Sequence, residues 1–127
     1  MSLLYTAFKK LLLDGDIDLL TDTIKAVLID EADYTVSAAH DFLDDIAGAA
    51  RIATATLSSK TTTGGVFDSA DPVWTGVSGD TFEACALYKD TGVESTSPLI
   101  GYFNGLNLTP NGGQITGTVD ASGWFAL

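Results

Sequence analysis

Six basic residues, one histidine and one cysteine are all this 127-residue chain has of the side chains that most often bind phosphate, shuttle protons or attack electrophiles. Each shortage closes off a class of function. A nucleic-acid backbone is held by a Lys/Arg footprint, and six cations against seventeen carboxylates, for a net charge of −11, cannot provide one. An anionic membrane surface is disfavoured for the same reason, so neither nucleic acid nor membrane is an expected partner. Cys85, alone, cannot form an intramolecular disulfide. It sits in the apolar run "FEACALY" with no histidine near in sequence, where a buried, inert thiol is expected. No stretch approaches the roughly 20 apolar residues of a membrane span. The N-terminal run "MSLLYTAFKKLLLDG" is interrupted by Lys9 and Lys10 instead of being preceded by charge, which does not fit a secretory signal. Synthesis in a cytoplasm is the expectation.

What is present is hydrophobic and low in charge: 46% hydrophobic against 18% charged residues. That composition and length describe one ordered domain over 1–127, large enough to bury most of its apolar surface. Residues 3–13 have helical spacing, with Leu4, Phe8, Leu11 and Leu12 on one face, Ser2 to cap the start and Gly15 to stop it. The run 22–30 reads as a buried strand, with Ala26 and Leu28 leaving a helix open as the alternative. Residues 38–47 read as a second short helix, capped by Ser37, with Phe42, Leu43 and Ile46 on one face and Gly48 as its stop. Beyond Gly48, helix formers thin out and short β-type runs at 50–63, 71–77, 80–89, 98–103, 114–119 and 123–127 alternate with Gly-rich punctuation. Residues 86–106 read as a hairpin whose turn is the Asp90–Pro98 stretch, and Asn104-Gly105 as the next turn. The pattern predicts a mainly β fold, a sandwich of jelly-roll or immunoglobulin-like type with about seven or eight strands. The two helices would plug an end or cover an open face.

The chemical motifs are weak. Asp14, Asp16 and Asp18 stand at positions one, three and five of a calcium loop, but Leu19 replaces the required glycine and Lys25 the bidentate glutamate. An acidic helix-to-strand turn accounts for them. His40 has Asp41, Asp44 and Asp45 near it, yet neither a catalytic triad nor a zinc site has its other partners. No serine occurs as G-x-S-x-G and no glycine run is a phosphate loop. Glu31, Glu83 and Glu94 are the only glutamates that acid–base chemistry could recruit. No catalytic, metal-ligating or cofactor-binding residue is therefore expected. Trp74 and Trp124 stand in β-type segments beside Gly or Pro, where an aromatic closes a sandwich core or, alternatively, stacks on a sugar.

Two stretches go beyond generic β composition: "DGDIDLLTDTIKAVLID" (14–30) and "YKDTGVESTSPLIGYFNGLNLTPNGGQITGTVDASGWFAL" (88–127). Together they resemble a family of small virion proteins of tailed bacteriophages, over a match from about Leu3 to Leu127 that is vaguer near 50–75. The resemblance implies a virion part. Among such parts, small β-rich decoration (cement) proteins, often trimeric, reinforce the head shell where capsomers meet. An acidic chain complements basic rims on a shell, and a low charged fraction leaves neutral surface for packing. The expected partners are thus the major capsid protein and further copies of the chain, as a homotrimer on the virion. A tail, neck or fibre component is the alternative, followed by a glycan-binding module built on Trp74 or Trp124. The N-terminal segment has more apolar residues than one helix face needs, which makes Leu3, Leu4, Tyr5, Phe8 and Leu12 candidate interface residues.

Overall fold

A computed structural model describes residues 2–127; Met1, the first residue of the expected 1–127 domain, lies outside them. The protein is mainly β. Its centre is a five-stranded antiparallel sheet in the order β1-β7-β6-β2-β3, built from β1 (Leu3–Leu4), β2 (Ile24–Ile29), β3 (Arg51–Thr56), β6 (Phe82–Lys89) and β7 (Leu99–Leu108). Two two-stranded ribbons complete it: β4 (Val66–Phe67) with β9 (Phe125–Ala126), and β5 (Val73–Trp74) with β8 (Ile115–Thr116).

The central strands β2 and β6 are apolar along nearly their whole length because both faces of the sheet are covered. Alternation of side chains places Val27, Ala86 and Tyr102 in one cross-strand row, and Leu28, Cys85 and Phe103 in a row on the opposite face. The first face is covered by the excursion between β2 and β3, which buries Tyr34, Leu43 and Ile46. Its two ends are clipped together by Asp30 N–H donating to the Ala50 carbonyl at 2.9 Å. The second face carries the ribbons: the Trp74 indole donates to the Ala26 carbonyl at 3.1 Å, and Trp124 packs on Phe103 with ring centroids 5.4 Å apart. The single α-helix among the described residues, α1 (Thr6–Leu13), is joined to the β4–β9 ribbon through Phe8, whose ring meets Phe125 edge-on at 5.7 Å.

Three sequence expectations change. The N-terminal helix begins at Thr6, with Tyr5 and not Ser2 at its N-cap, because Leu3 and Leu4 are drawn into the sheet beside Tyr102 and Gly101. It ends as expected at Gly15: with φ +81° there, Gly15 N–H bonds the Leu12 carbonyl and Asp16 N–H the Leu11 carbonyl, a Schellman closure. The second helix over 38–47 does not form. That segment is extended at Phe42, which bridges Pro98, and only single 3-10 turns follow at Leu43–Asp45 and Gly48–Ala50. Leu99 N–H donates to the Asp41 carbonyl and Leu43 N–H to the Ser97 carbonyl, both at 2.9 Å. These tertiary bonds take the backbone groups that a helix would use internally, in a stretch whose aspartates are weak helix formers. Finally, Asn104-Gly105 is not a turn. Strand β7 runs through it to Leu108, with a bulge opposite β6 and Gly105 at φ +95°.

Two glycines separate backbone strain from steric conflict. A Cβ on Gly15 meets nothing within 4 Å, so Gly15→Ala carries only the left-handed backbone penalty, about 1 kcal/mol. At Gly123, φ is +83° and a Cβ would stand 2.7 Å from both the Phe67 carbonyl oxygen and Val66 Cγ1. Gly123→Ala is expected to cost about 3 kcal/mol, strain plus overpacking, and to loosen the β4–β9 ribbon. Urea unfolding of the two variants checks the order; equal losses would contradict it.

Candidate functional site

The residues singled out for chemistry are spent on holding the fold. In the acidic turn, Asp18 Oδ1 accepts from Leu20 N–H at 3.0 Å and Thr21 N–H at 3.2 Å, which holds its carboxyl below the usual carboxylate range. Asp22 accepts from Asp18 N–H at 2.8 Å and pairs with Lys89 at 3.1 Å, while Asp14 pairs with Lys10. The turn is a network of Asx bonds and ion pairs that delivers the chain into β2. Cys85 is buried in the central strand, and burial pushes its thiol up to about 12, so at neutral pH it is protonated and unreactive. His40 Nδ1 lies 2.7 Å from the Tyr34 hydroxyl, which lies 3.0 Å from the Tyr5 hydroxyl. Burial raises both phenols above their ordinary range, and Tyr102, raised in the same way, donates to Glu31. This chain of polar tips fastens the 30–50 excursion to β1, α1 and the sheet.

Asp41 and Asp45 show how tightly that excursion is drawn. Asp45 Oδ2 accepts from Asp41 N–H at 2.9 Å, and this bond keeps Asp45 below its ordinary range, whereas desolvation and then the Asp45 carboxylate raise Asp41. Asp30, Asp33 and Asp80 bring one carboxylate oxygen each within 4.8 Å of one another, with Asp30 buried. Asp30 Oδ1 accepts from Ala32 N–H at 2.9 Å as an Asx turn, so one member of the cluster has a structural duty.

The candidate interface residues divide. Tyr5 and Phe8 are wholly buried in the chain's own core, where Tyr5 N–H also bonds the Ile100 carbonyl at 3.0 Å. As surface they are unavailable, because their rings fill the space between α1 and the sheet. Leu3, Leu4 and Leu12 are half-buried against that core, and the apolar side chain that α1 leaves in solvent is Leu13, 87% exposed. Trp74 is 3% exposed and offers no ring face to a sugar; Trp124 is half-buried, with its indole N–H donating to Ser69 Oγ at 2.8 Å.

What sequence reasoning missed is a groove of about 610 Å³, within the range of ligand clefts. Its floor is the cross-strand row Leu28–Cys85–Phe103 with Trp74 beneath. One wall is the outer half of β7, Asn104–Leu108, where Leu106 and Leu108 are 43% and 47% exposed. The other wall is the stretch from Ile115 to Asp120, followed by Trp124. Asp71 Oδ1 fixes that wall by accepting from Val119 N–H at 2.9 Å. A turn closed by Gly123 N–H on the Asp120 carbonyl at 2.8 Å then swings Trp124 into place, where its backbone N–H bonds the Phe67 carbonyl. Asp120, held low by the Ser122 N–H and hydroxyl, is among the described residues the one carboxylate lining the groove, and no Lys, Arg or His among them lines it. The signal was in "FNGLNL", where apolar Phe103, Leu106 and Leu108 are spaced by polar residues and Gly105, a strand pattern whose phase shifts at the Asn104-Gly105 bulge. Reading Asn104-Gly105 as a turn hid it.

The depressed carboxyls set an acid limit. Asp18, Asp45, Asp90, Glu94 and Asp120 all lie below their ordinary values in the folded chain, Asp90 through Lys25 and Glu94 through Arg51. Their unfolded values are near 4, so this stability is complete above about pH 5 and is lost as pH falls through the folded values. Urea midpoints should be flat from about pH 5 to 7 and fall below about pH 4. Asp45→Asn should flatten part of that fall, and a midpoint that rises on acidification would contradict the assignment.

No protein-family model matches the chain, and a search of curated proteins finds no significant match.

Proposed function

We propose that the chain is a non-enzymatic structural component of a tailed-phage virion, a decoration protein that binds the outer surface of the head shell and stabilises it. One observation carries this reading. The polar groups with chemical potential (His40, Cys85 and the Asp14–Asp22 turn) are committed to internal bonds or buried, whereas the surface keeps an apolar groove and acidic groups without cationic partners. Four of the six cations, Lys10, Lys25, Arg51 and Lys89, are in ion pairs, so most of the excess negative charge faces solvent. A surface of this kind favours a basic rim and repels non-specific anionic partners. The resemblance of residues 14–30 and 88–127 to small phage virion proteins points the same way.

Within this reading the major capsid protein is the partner, and avidity from a homotrimer multiplies individually weak contacts. The two ribbons over one face of the sheet act as the second layer of a sandwich. A tail, neck or fibre station uses the same surface logic at lower copy number.

Copy number tests the station. Quantitative mass spectrometry of purified particles is expected to find hundreds of copies, removable and re-addable to stripped heads; three, six or twelve copies would transfer the protein to the neck, tail or a fibre. Light scattering of the isolated protein is expected to give a trimer, or a monomer that trimerises on the shell, and a stable dimer would count against the decoration reading.

A further inference from the structure

We infer that the groove beside β7 receives an extended strand of a partner protein, apolar at alternating positions and flanked by basic residues. The inference supplies a contact for the attachment proposed above, and in naming a partner on the particle it rests on that reading.

Three observations converge on the groove. First, β1 pairs with β7 only at Tyr102 and Gly101, and among the described residues no strand lies beside the outer edge of β7 from Asn104 to Leu108. Alternation with Tyr102, which faces β1, turns the Asn104 N–H and C=O outward. An open edge is a template for another strand, and "NGLNL" has neither the lysine nor the proline that usually guards one. Second, the same residues form the wall of an apolar groove, so an added strand would find main-chain bonds along the edge and apolar contacts at Phe103, Leu106 and Leu108. This pairing of edge and pockets is how strand addition gains affinity and selectivity. Third, the charge is one-sided. From Thr61 to Leu127 the only cation is Lys89, and it is tied to Asp22 and to the Asp16 carbonyl. Asp120, which lines the groove, and Asp71, which holds its wall through Val119, have no cationic partner among the described residues. Basic flanks on the incoming strand complement this field, whereas the same edge of a second copy, "NGLNL", brings no cation to it.

Both tryptophans line the groove, so intrinsic fluorescence reports on its occupancy. The probe is a synthetic twelve-residue peptide with alternating Val and Thr between paired lysines. Controls carry a central Pro-Pro or glutamates in place of the lysines. The wild-type protein should bind the lysine-flanked peptide, with amide shifts centred on Asn104–Leu108, and affinity should fall with salt. Leu106→Ser with Leu108→Ser should weaken binding about tenfold through lost apolar burial at two exposed, fold-neutral positions. Asn104→Pro, which removes the outward N–H, is the independent second variant. Absence of shifts at Asn104–Leu108 at millimolar peptide would overturn the inference, as would equal binding of the Pro-Pro or Glu-flanked peptide. Light scattering that reveals a concentration-dependent dimer, abolished by the double Ser variant, would overturn it in favour of a second copy. If the protein binds the peptide through this edge but never joins stripped heads, the groove stands and the decoration reading falls. If the double variant loses the peptide yet decorates as before, decoration stands and the groove is not its contact.

Discussion

The pairing of β2 with β6 is the constraint on which everything else depends. Six consecutive residues of β2 face six of β6, from Ile24 opposite Lys89 to Ile29 opposite Ala84, and most are buried. A ladder whose two faces are both apolar cannot leave either face in water. The excursion from β2 to β3 must therefore return over one face, and the ribbons and α1 must close the other. Small side chains in the ladder, Ala26, Ala84 and Ala86, let covering groups approach: Tyr34 reaches Tyr102 at 5.9 Å between centroids on one face, and the Trp74 indole reaches a β2 carbonyl on the other.

This constraint explains why the polar residues carry so little free chemistry. The covering segments are irregular, and irregular backbone buried against a sheet must find hydrogen-bond partners outside regular ladders. Asp18, Asp45, Asp90 and Asp120 each accept from a nearby backbone N–H, and the Tyr5–Tyr34–His40 series joins the 30–50 excursion to the junction of β1 and α1. Carboxylates abundant enough to give the chain its acidity thus double as the fasteners of its loops. The same economy ties these loops to ionised carboxylates, since an N–H bonds a carboxylate more strongly than it bonds a neutral carboxyl.

Coverage stops short at one place. Strand β7 outlasts β1: beyond Tyr102 it stays paired with β6, through a bulge, as far as Leu108 opposite Phe82, so among the described residues its outer half has no strand neighbour on the β1 side. The groove follows from that mismatch in strand length. Its aromatic floor and open edge are what remain when a ten-residue strand has a two-residue neighbour.

Much of the architecture was legible in the chain itself. Uninterrupted apolar runs marked β2 and β6, Gly15 marked the end of α1, and regular Gly punctuation marked a mainly β fold, because these signals depend on local backbone geometry and on solvent exclusion along one strand. The burial of Cys85 was legible for the same reason. The missing second helix was decided elsewhere: Asp41 and Leu43 find their backbone partners at Leu99 and Ser97, more than fifty positions away, and no local pattern records that competition. Phe8 stood on the apolar face of the expected helix and Tyr5 among the candidate interface residues, but only the positions of Phe125 and Tyr34 settled that both turn inward. The groove needed both ends of the chain's β region at once. Local sequence determines which backbone conformations are cheap; which of them are used, and which edges stay open, is decided by contacts between residues distant in sequence, whose energies exceed those local preferences.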